Sequence, residues 1–426
     1  MIAIQEIIKR LKSDDPRLRD QAVMSLSSVV SLTVNFVSLL IFSKIFGPAI
    51  SGVYAIFASV NNLLLLVASL RLDQAIHAPR ERRDAFGLGL IAAISGVIFS
   101  VFVAALLLFF IVPFREHYGA GVAQMVWLLP FFLVIANVSL LMQTFMIREG
   151  LFSRYAAILL TQTLVSVCIK TLLISSSAKT NPLIWADFIS QTVCCMLYVA
   201  NLRKNYQAVI SKISFSDLKR LFREYSEFPL KALPASFIEG INTQLPYLLL
   251  TPLFGDTSMG HYSRALQFLQ LPSQVFGNPV SATFKRYGGE AFRNNQDCQK
   301  EFVNSLKKLL GLASVIFPMM WIGLPSVVTL LLGERWAATG DLVRFAIFYS
   351  AFGFVCSPLS SVLFFAKKNS YNLAWIAATL LVNFLTLKMA SRTLQLGKCI
   401  QVWSFSYAVM YLLLLYISYK CCRVEK

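Results

Sequence analysis

Apolar residues fill long blocks at about 22–46, 50–70, 86–112, 121–146, 152–176 and 182–202, and again at about 228–253, 259–284, 305–332, 338–366, 370–390 and 398–419. As helices rising 1.5 Å per residue, such blocks are long enough for a hydrocarbon core of ~30 Å. The polar stretches between them are short, and the longest, 203–227 and 285–304, cannot hold a folded domain. The pattern predicts an all-α polytopic membrane protein with 12 transmembrane helices, six before the polar middle and six after it.

The two sets carry one shared mark. Phe46-Gly47, four residues, then Gly52-Val53-Tyr54 recurs 208 positions later as Phe254-Gly255, four residues, then Gly260-His261-Tyr262. Each copy ends one apolar block and starts the next. The glycines let the backbone take positive φ and let two helices leave a turn close together. The match reads as the tight outer turn of a helical hairpin, present once in each set.

Polar segments complete the division. Residues 1–20 place Ile4, Ile7, Ile8 and Leu11 at helical spacing among Lys9, Arg10, Lys12, Arg17 and Arg19, which predicts an amphipathic helix on the cytoplasmic membrane face; no short apolar core with a cleavage site follows. Residues 21–205 form the first bundle, 206–227 a cytoplasmic amphipathic linker and 228–426 the second bundle. In the linker Phe215, Leu218, Leu221, Phe222 and Tyr225 share one helical face.

Composition sharpens the class. Apolar residues make up 57% of the 426 and charged residues only 14%, with a mean hydropathy of +0.64, outside the range of soluble domains. Most of the 39 lysines and arginines fall on the side of the amino terminus, among them Arg80, Arg82, Arg83 and the runs 203–223 and 285–308. Both termini are then cytoplasmic and the Phe-Gly turns face outward, the loop with Lys388, Arg392 and Lys398 being the main exception. This asymmetry accounts for most of the net charge of +18, so no nucleic-acid partner is inferred. The eight cysteines and three histidines form no ligand set. No G-x-x-x-x-G-K-[ST] or H-E-x-x-H motif occurs and no cofactor is expected.

The remaining chemistry lies in the helices flanking the second turn. Lys231, Ser236, Glu239, Asn242 and Thr243 fall within an arc of about 140° at 100° per residue, and Arg264, Gln267, Gln270, Gln274 and Asn278 run along one stripe of the next helix. Polar stripes at bilayer depth do not face lipid; they line a wet cavity or pack on each other. Pro234, Pro246, Pro272 and Pro279 interrupt these helices and free carbonyls there. The first half echoes this with Asn35 in helix 1 and Asn62 in helix 2, so helices 1, 2, 7 and 8 are expected to enclose one central cavity. Lys170 and Lys231, near helix ends, also suit snorkelling to the interface, and Arg264 and Arg344 sit about one turn inside the outer boundary. Glu239 is mid-span, so its carboxyl is either protonated or meets water or a cation, which makes it the candidate for coupling to H+ or Na+.

Several blocks together resemble a known family. Lys44-Ile45-Phe46-Gly47-Pro48 to Gly52-Val53-Tyr54-Ala55, then Leu70-Arg71-Leu72-Asp73-Gln74-Ala75-Ile76, Phe228-Pro229-Leu230, Gln244-Leu245-Pro246 and Leu271-Pro272 are similar to the Wzx-type polysaccharide-precursor flippases of the multidrug/oligosaccharidyl-lipid/polysaccharide exporter superfamily. The resemblance implies twelve helices in two pseudo-symmetric six-helix bundles around a V-shaped central cavity open alternately to either side of the bacterial inner membrane. It also implies a substrate of undecaprenyl diphosphate bearing a short oligosaccharide, as for O-antigen in lipopolysaccharide, with a polysaccharide polymerase and a chain-length regulator as partners. A cleft with arginine and amide side chains independently suits diphosphate and sugar hydroxyls. A drug, cation or lipid II exporter of the same superfamily is the alternative; a membrane glycosyltransferase would want a long outer loop with carboxylates, which the sequence lacks.

Overall fold

A computed structural model describes residues 16–118, 120–175, 181–210, 213–293, 297–366 and 368–423. Among them every regular element is helical. In chain order these are α1 (Pro16–Ala68), α2 (Leu72–Ala75), α3 (Arg82–Tyr118), α4 (Ala120–Val126), α5 (Leu129–Arg148), α6 (Phe152–Leu172), α7 (Pro182–Ile210), α8 (Phe215–Glu224), α9 (Leu233–Pro272), α10 (Asn278–Arg293), α11 (Gln299–Leu332), α12 (Ala337–Leu359), α13 (Val362–Phe365), α14 (Asn369–Thr393) and α15 (Leu396–Lys420). The amphipathic helix expected over 1–20 lies outside the described residues as far as position 15.

Nine helices among the described residues are long and apolar enough to cross a membrane, so this is a multi-pass membrane protein. The predicted 12 do not map one to one. α1 covers the first two blocks, broken only at Gly47, and α9 covers most of the seventh and eighth, broken only at Gly255. α9 is not among the nine; its buried Asn242, His261 and Arg264, with Glu239 and Asp256, dilute its apolar character.

Both breaks have one backbone geometry. Gly47 sits at φ 73°, ψ 178° and Gly255 at φ 77°, ψ 170°, a region that only glycine enters without strain. The recurring dipeptide is thus a recurring conformation.

The chain divides into two compact units, one of residues to Phe46 and Ile56–Gly240, the other of Gly47–Ala55 and Ile241–Lys426. The first unit packs α3 on α5 through small residues. Gly89 faces the ring of Phe145 and Gly96 faces Asn137. Asn137 Nδ2 donates to the Ala92 carbonyl at 3.0 Å and Ser100 Oγ to that of Pro130 at 2.6 Å. In a membrane, where lipid tails compete with apolar side chains, close backbone approach and hydrogen bonds do this work.

α8 is docked on the same unit. Ser214 and Asp217 form a capping box at its start, Leu221 is buried over Gly87, and charges cross in both directions, Arg83 to Asp217 and Arg220 to Asp84. The Ser214 backbone N–H, with Arg83, holds the Asp217 carboxyl below its ordinary range. Phe215, 83% exposed, and Phe222, 42% exposed, stay off this docking face, so the apolar arc read from the linker sequence divides into a docked part and an exposed part.

The second unit is built on aromatic contacts. Tyr349 of α12 meets Trp403, Tyr407 and Tyr411 of α15 at ring separations of 4.8, 4.9 and 6.3 Å, and Gly353 and Gly397 leave room for Tyr411 and Phe345. The Tyr349 N–H donates to Ser404 Oγ at 2.8 Å. The nine-residue segment Gly47–Ala55 belongs to this unit although it lies near the amino terminus. Its Gly52 is packed on the backbone carbonyl of Asp256, and Gly260 on that of Pro48. The sequence offset relates Gly52 to Gly260 and Pro48 to Asp256, so each turn touches the other with the same atoms.

Candidate functional site

The polar stripe residues settle into different surroundings, dictated by where the helix leaves its regular course. Just before α9, residues Phe228–Ala232 form a π-helical turn closed by Leu233 N–H donating to the Phe228 carbonyl. Residues Ser273–Gly277 form a second, closed by Asn278 N–H on the Ser273 carbonyl. Pro234 and Pro279 each follow two residues after such a turn, where a missing N–H would break the regular ladder and the wider turn absorbs the gap. Lys231 lies in the first turn and Gln274 in the second.

In the first unit Lys231 is exposed and pairs with Glu227 at 2.9 Å. Glu239, Asn35 and Asn62 are exposed and Lys170 is half-buried. In the second unit Asn242 is buried: its Nδ2 donates to the Tyr407 hydroxyl at 2.9 Å, and its Oδ1 accepts from Asn383 Nδ2 at 2.8 Å. That places an amide ladder across α9, α14 and α15. Gln270 and Gln274 are exposed. Arg344 is a surface residue, with its Nε on the Trp321 carbonyl at 3.3 Å and Asp341 at 3.9 Å.

Arg264 is the exception among the charges. It is 6% exposed. Nη1 donates to Gln267 Oε1 at 2.6 Å and Nη2 to Ser51 Oγ at 3.2 Å, while Ser51 passes its own proton to the Gly47 carbonyl at 3.0 Å. The guanidinium lies over the Trp336 ring, 5.9 Å from its centroid. Its Nε has no hydrogen-bond partner, and among the described residues no carboxylate comes within salt-bridge distance. Burying a cation without a counter-ion costs several kcal/mol, a penalty that neutral oxygens and one indole face offset only in part. An incoming anion would compete with Gln267 and Ser51 for two donors already held and find a third, Nε, unused.

Of the predicted residues the structure thus joins Arg264 directly to Gln267, and it ties Asn242 to partners the sequence reading did not name. Ser51, Trp336, Asn383 and Tyr407 were missed. Ser51 had a signal, since it precedes Gly52 of the recurring turn. Trp336 follows Gly333, another positive-φ glycine. Asn383 and Tyr407 sit in apolar runs with nothing local to mark them.

The family model described as polysaccharide biosynthesis protein matches residues 41–340. No curated protein matches the chain in sequence. Among solved structures it is similar to the lipid II flippase MurJ in an inward closed conformation, with a TM-score of 0.73, 13% identity and coverage of 92% of this chain and 87% of that one. It is similar to a multidrug resistance MATE family transporter of the MOP superfamily in an inward-facing conformation, with a TM-score of 0.70, 13% identity and coverage of 91% and 93%. It is also similar to a MOP superfamily transporter from Pyrococcus furiosus whose binding pocket is described as having reverse polarity, with a TM-score of 0.63, 12% identity and coverage of 97% and 96%. At such identities the likeness is one of fold.

Proposed function

Because the chain belongs to the polysaccharide biosynthesis protein family, with 41–340 matched, we propose that it is a flippase moving undecaprenyl-diphosphate-linked oligosaccharide from the inner to the outer leaflet of the bacterial inner membrane by alternating access. The observation that carries the reading from fold to cargo is Arg264, a buried guanidinium with no acid partner among the described residues, on a helix of a transporter fold. A diphosphate is the part of such a cargo that rewards this arrangement. Amides such as Gln267, Gln270 and Gln274 share donors and acceptors with sugar hydroxyls. A drug or cation exporter remains the second reading; it would call for more acid than the single Glu239 of the stripe.

The polymerase that extends the oligosaccharide and the regulator of its chain length are the partners this role calls for. Its orientation follows the basic segments: both termini and the 203–223 region are cytoplasmic. A reporter active only outside the inner membrane is expected to be silent at either terminus and active when fused near Asp256. The opposite pattern would reverse the direction of transport.

Purified protein in vesicles is expected to move a lipid-linked oligosaccharide between leaflets, and failure to do so while moving a lipophilic cation would favour the exporter reading. The same assay tests coupling. Glu239→Gln keeps the shape of the side chain and removes its ionisation, so it is expected to flip cargo without responding to a pH gradient. A variant that keeps the full response removes Glu239 from the coupling step.

A further inference from the structure

A second cationic feature lies in the first unit, away from the stripe. The end of α5 and the segment between α2 and α3 surround a polar hollow of about 480 Å³ lined by His77, Arg80, Arg82, Ile147, Arg148 and Glu149. Three arginines face it against one glutamate. That glutamate is fully engaged: Oε1 accepts from the Tyr206 hydroxyl at 2.7 Å and Oε2 pairs with Arg82 at 2.7 Å. Burial, and then the Glu149 carboxylate, push the Tyr206 hydroxyl above its ordinary range, so Tyr206 stays a donor.

Arg148 is a framework residue. Its Nη1 donates to the Ile76 carbonyl at 2.7 Å and its Nη2 to the Pro79 carbonyl at 2.6 Å, which fixes the backbone on either side of His77. Arg80 follows directly, exposed, with no ion pair among the described residues. The hollow therefore holds more positive charge than its own carboxylate answers, on a backbone that is already held. Its depth is set by the helices: Arg82 begins and Arg148 ends candidate membrane spans, so it opens at the level of lipid head groups.

We propose that this hollow is a binding site for a phosphate group, presented at the membrane boundary by an anionic lipid head group, with Arg80 as its principal contact. Arginine matches phosphate oxygens with a planar fork, and the pairing strengthens where the site is partly screened from water. The site does not depend on the cargo assigned above, since any phospholipid of the surrounding leaflet presents the same group.

Two probes separate the sources. The full chain in detergent micelles is titrated with inorganic pyrophosphate by calorimetry, and lipids retained by the chain are counted by native mass spectrometry after doping the micelles with phosphatidylglycerol or with a phosphate-free glucosyl diacylglycerol. Retention of phosphatidylglycerol over the glycolipid is expected, and Arg80→Glu is expected to weaken it about tenfold, which is about 1.4 kcal/mol. Arg80→Lys should fall between, because charge remains and the fork is lost. Arg392→Glu makes the same charge change on α14 and should leave retention unaltered. Arg80→Gln repeats the test should Arg80→Glu fail to accumulate. Pyrophosphate binding that depends on Arg80 would show that the hollow also takes free phosphate; lipid retention alone ties it to the bilayer. Loss of selectivity for phosphatidylglycerol in the unaltered protein together with no pyrophosphate binding, or equal weakening by Arg392→Glu, overturns the proposal.

Discussion

On the proposed function, Arg264→Ala is expected to lower transport of lipid-linked oligosaccharide by at least about a hundredfold while folded protein in the membrane stays near its normal amount. The size follows from two donors to one anion, each charge-assisted bond contributing about 1.5–3 kcal/mol. The side chain has no acid partner among the described residues to be stranded, so removing it leaves only Ser51 and Gln267 to find new bonds. Ser51 already donates to the Gly47 carbonyl. Arg264→Lys should recover part of the activity, since it keeps charge and loses the fork. Arg264→Met, which keeps a long side chain against Trp336 and has no charge, should behave as the alanine variant does. Transport and melting temperature measured on the same preparations decide the matter: if they fall in proportion across the three variants, Arg264 is a brace for the turn and not a ligand for cargo.

The second large effect concerns packing. A methyl group added at Gly52 would overlap the Asp256 carbonyl, and one at Gly260 would overlap that of Pro48. Backbone cannot swing aside as a side chain can, so Gly52→Ala and Gly260→Ala are each expected to cost about 1–3 kcal/mol, the usual range for overpacking, and valine more. Because both substitutions force the same two turns apart, the double variant should cost less than the sum of the singles. At Gly47 and Gly255 no atom stands within 4 Å of an added Cβ; there alanine is opposed by the positive φ alone, at about 1–3 kcal/mol. Thermal unfolding of the purified variants reads all of these. Alanine tolerated at Gly52 and Gly260 with no loss would mean the two turns do not meet as described.

Periodicity was a good guide to the helices and a poor guide to their partners. The blocks at 86–112 and 398–419 fall within α3 and α15, and α6 covers the block at 152–176 as far as Leu172, because a bilayer leaves the backbone few alternatives to a helix. The recurring Phe-Gly dipeptide correctly signalled a special backbone, since positive φ is written in the residue type itself. What each polar side chain would meet was not written locally. Asn242 and Arg264 read alike as members of stripes, yet one completes an amide ladder to Asn383 and Tyr407 and the other reaches Ser51 from the far end of the sequence. Such pairings depend on which helices become neighbours, and neighbours in a bundle are chosen by small residues such as Gly89, Gly96 and Gly353, which carry no label of their partner. Lys231 points the same way: its charge meets Glu227, one turn before it and outside the polar arc read from the sequence.

The membership of Gly47–Ala55 in the second unit has a consequence for how the chain is made. This segment leaves the ribosome early, yet Asp256, Gly260 and Arg264, on which it seats, follow about 200 residues later. At the usual ~5–20 residues per second it waits on the order of ten seconds or more, with Ser51 and Gly52 lacking their eventual neighbours. Insertion into the bilayer therefore cannot complete one half and then the other as independent blocks. The second half must recruit a helical turn left over from the first, and a chain cut in the polar middle should assemble only if both fragments are synthesised into the same membrane.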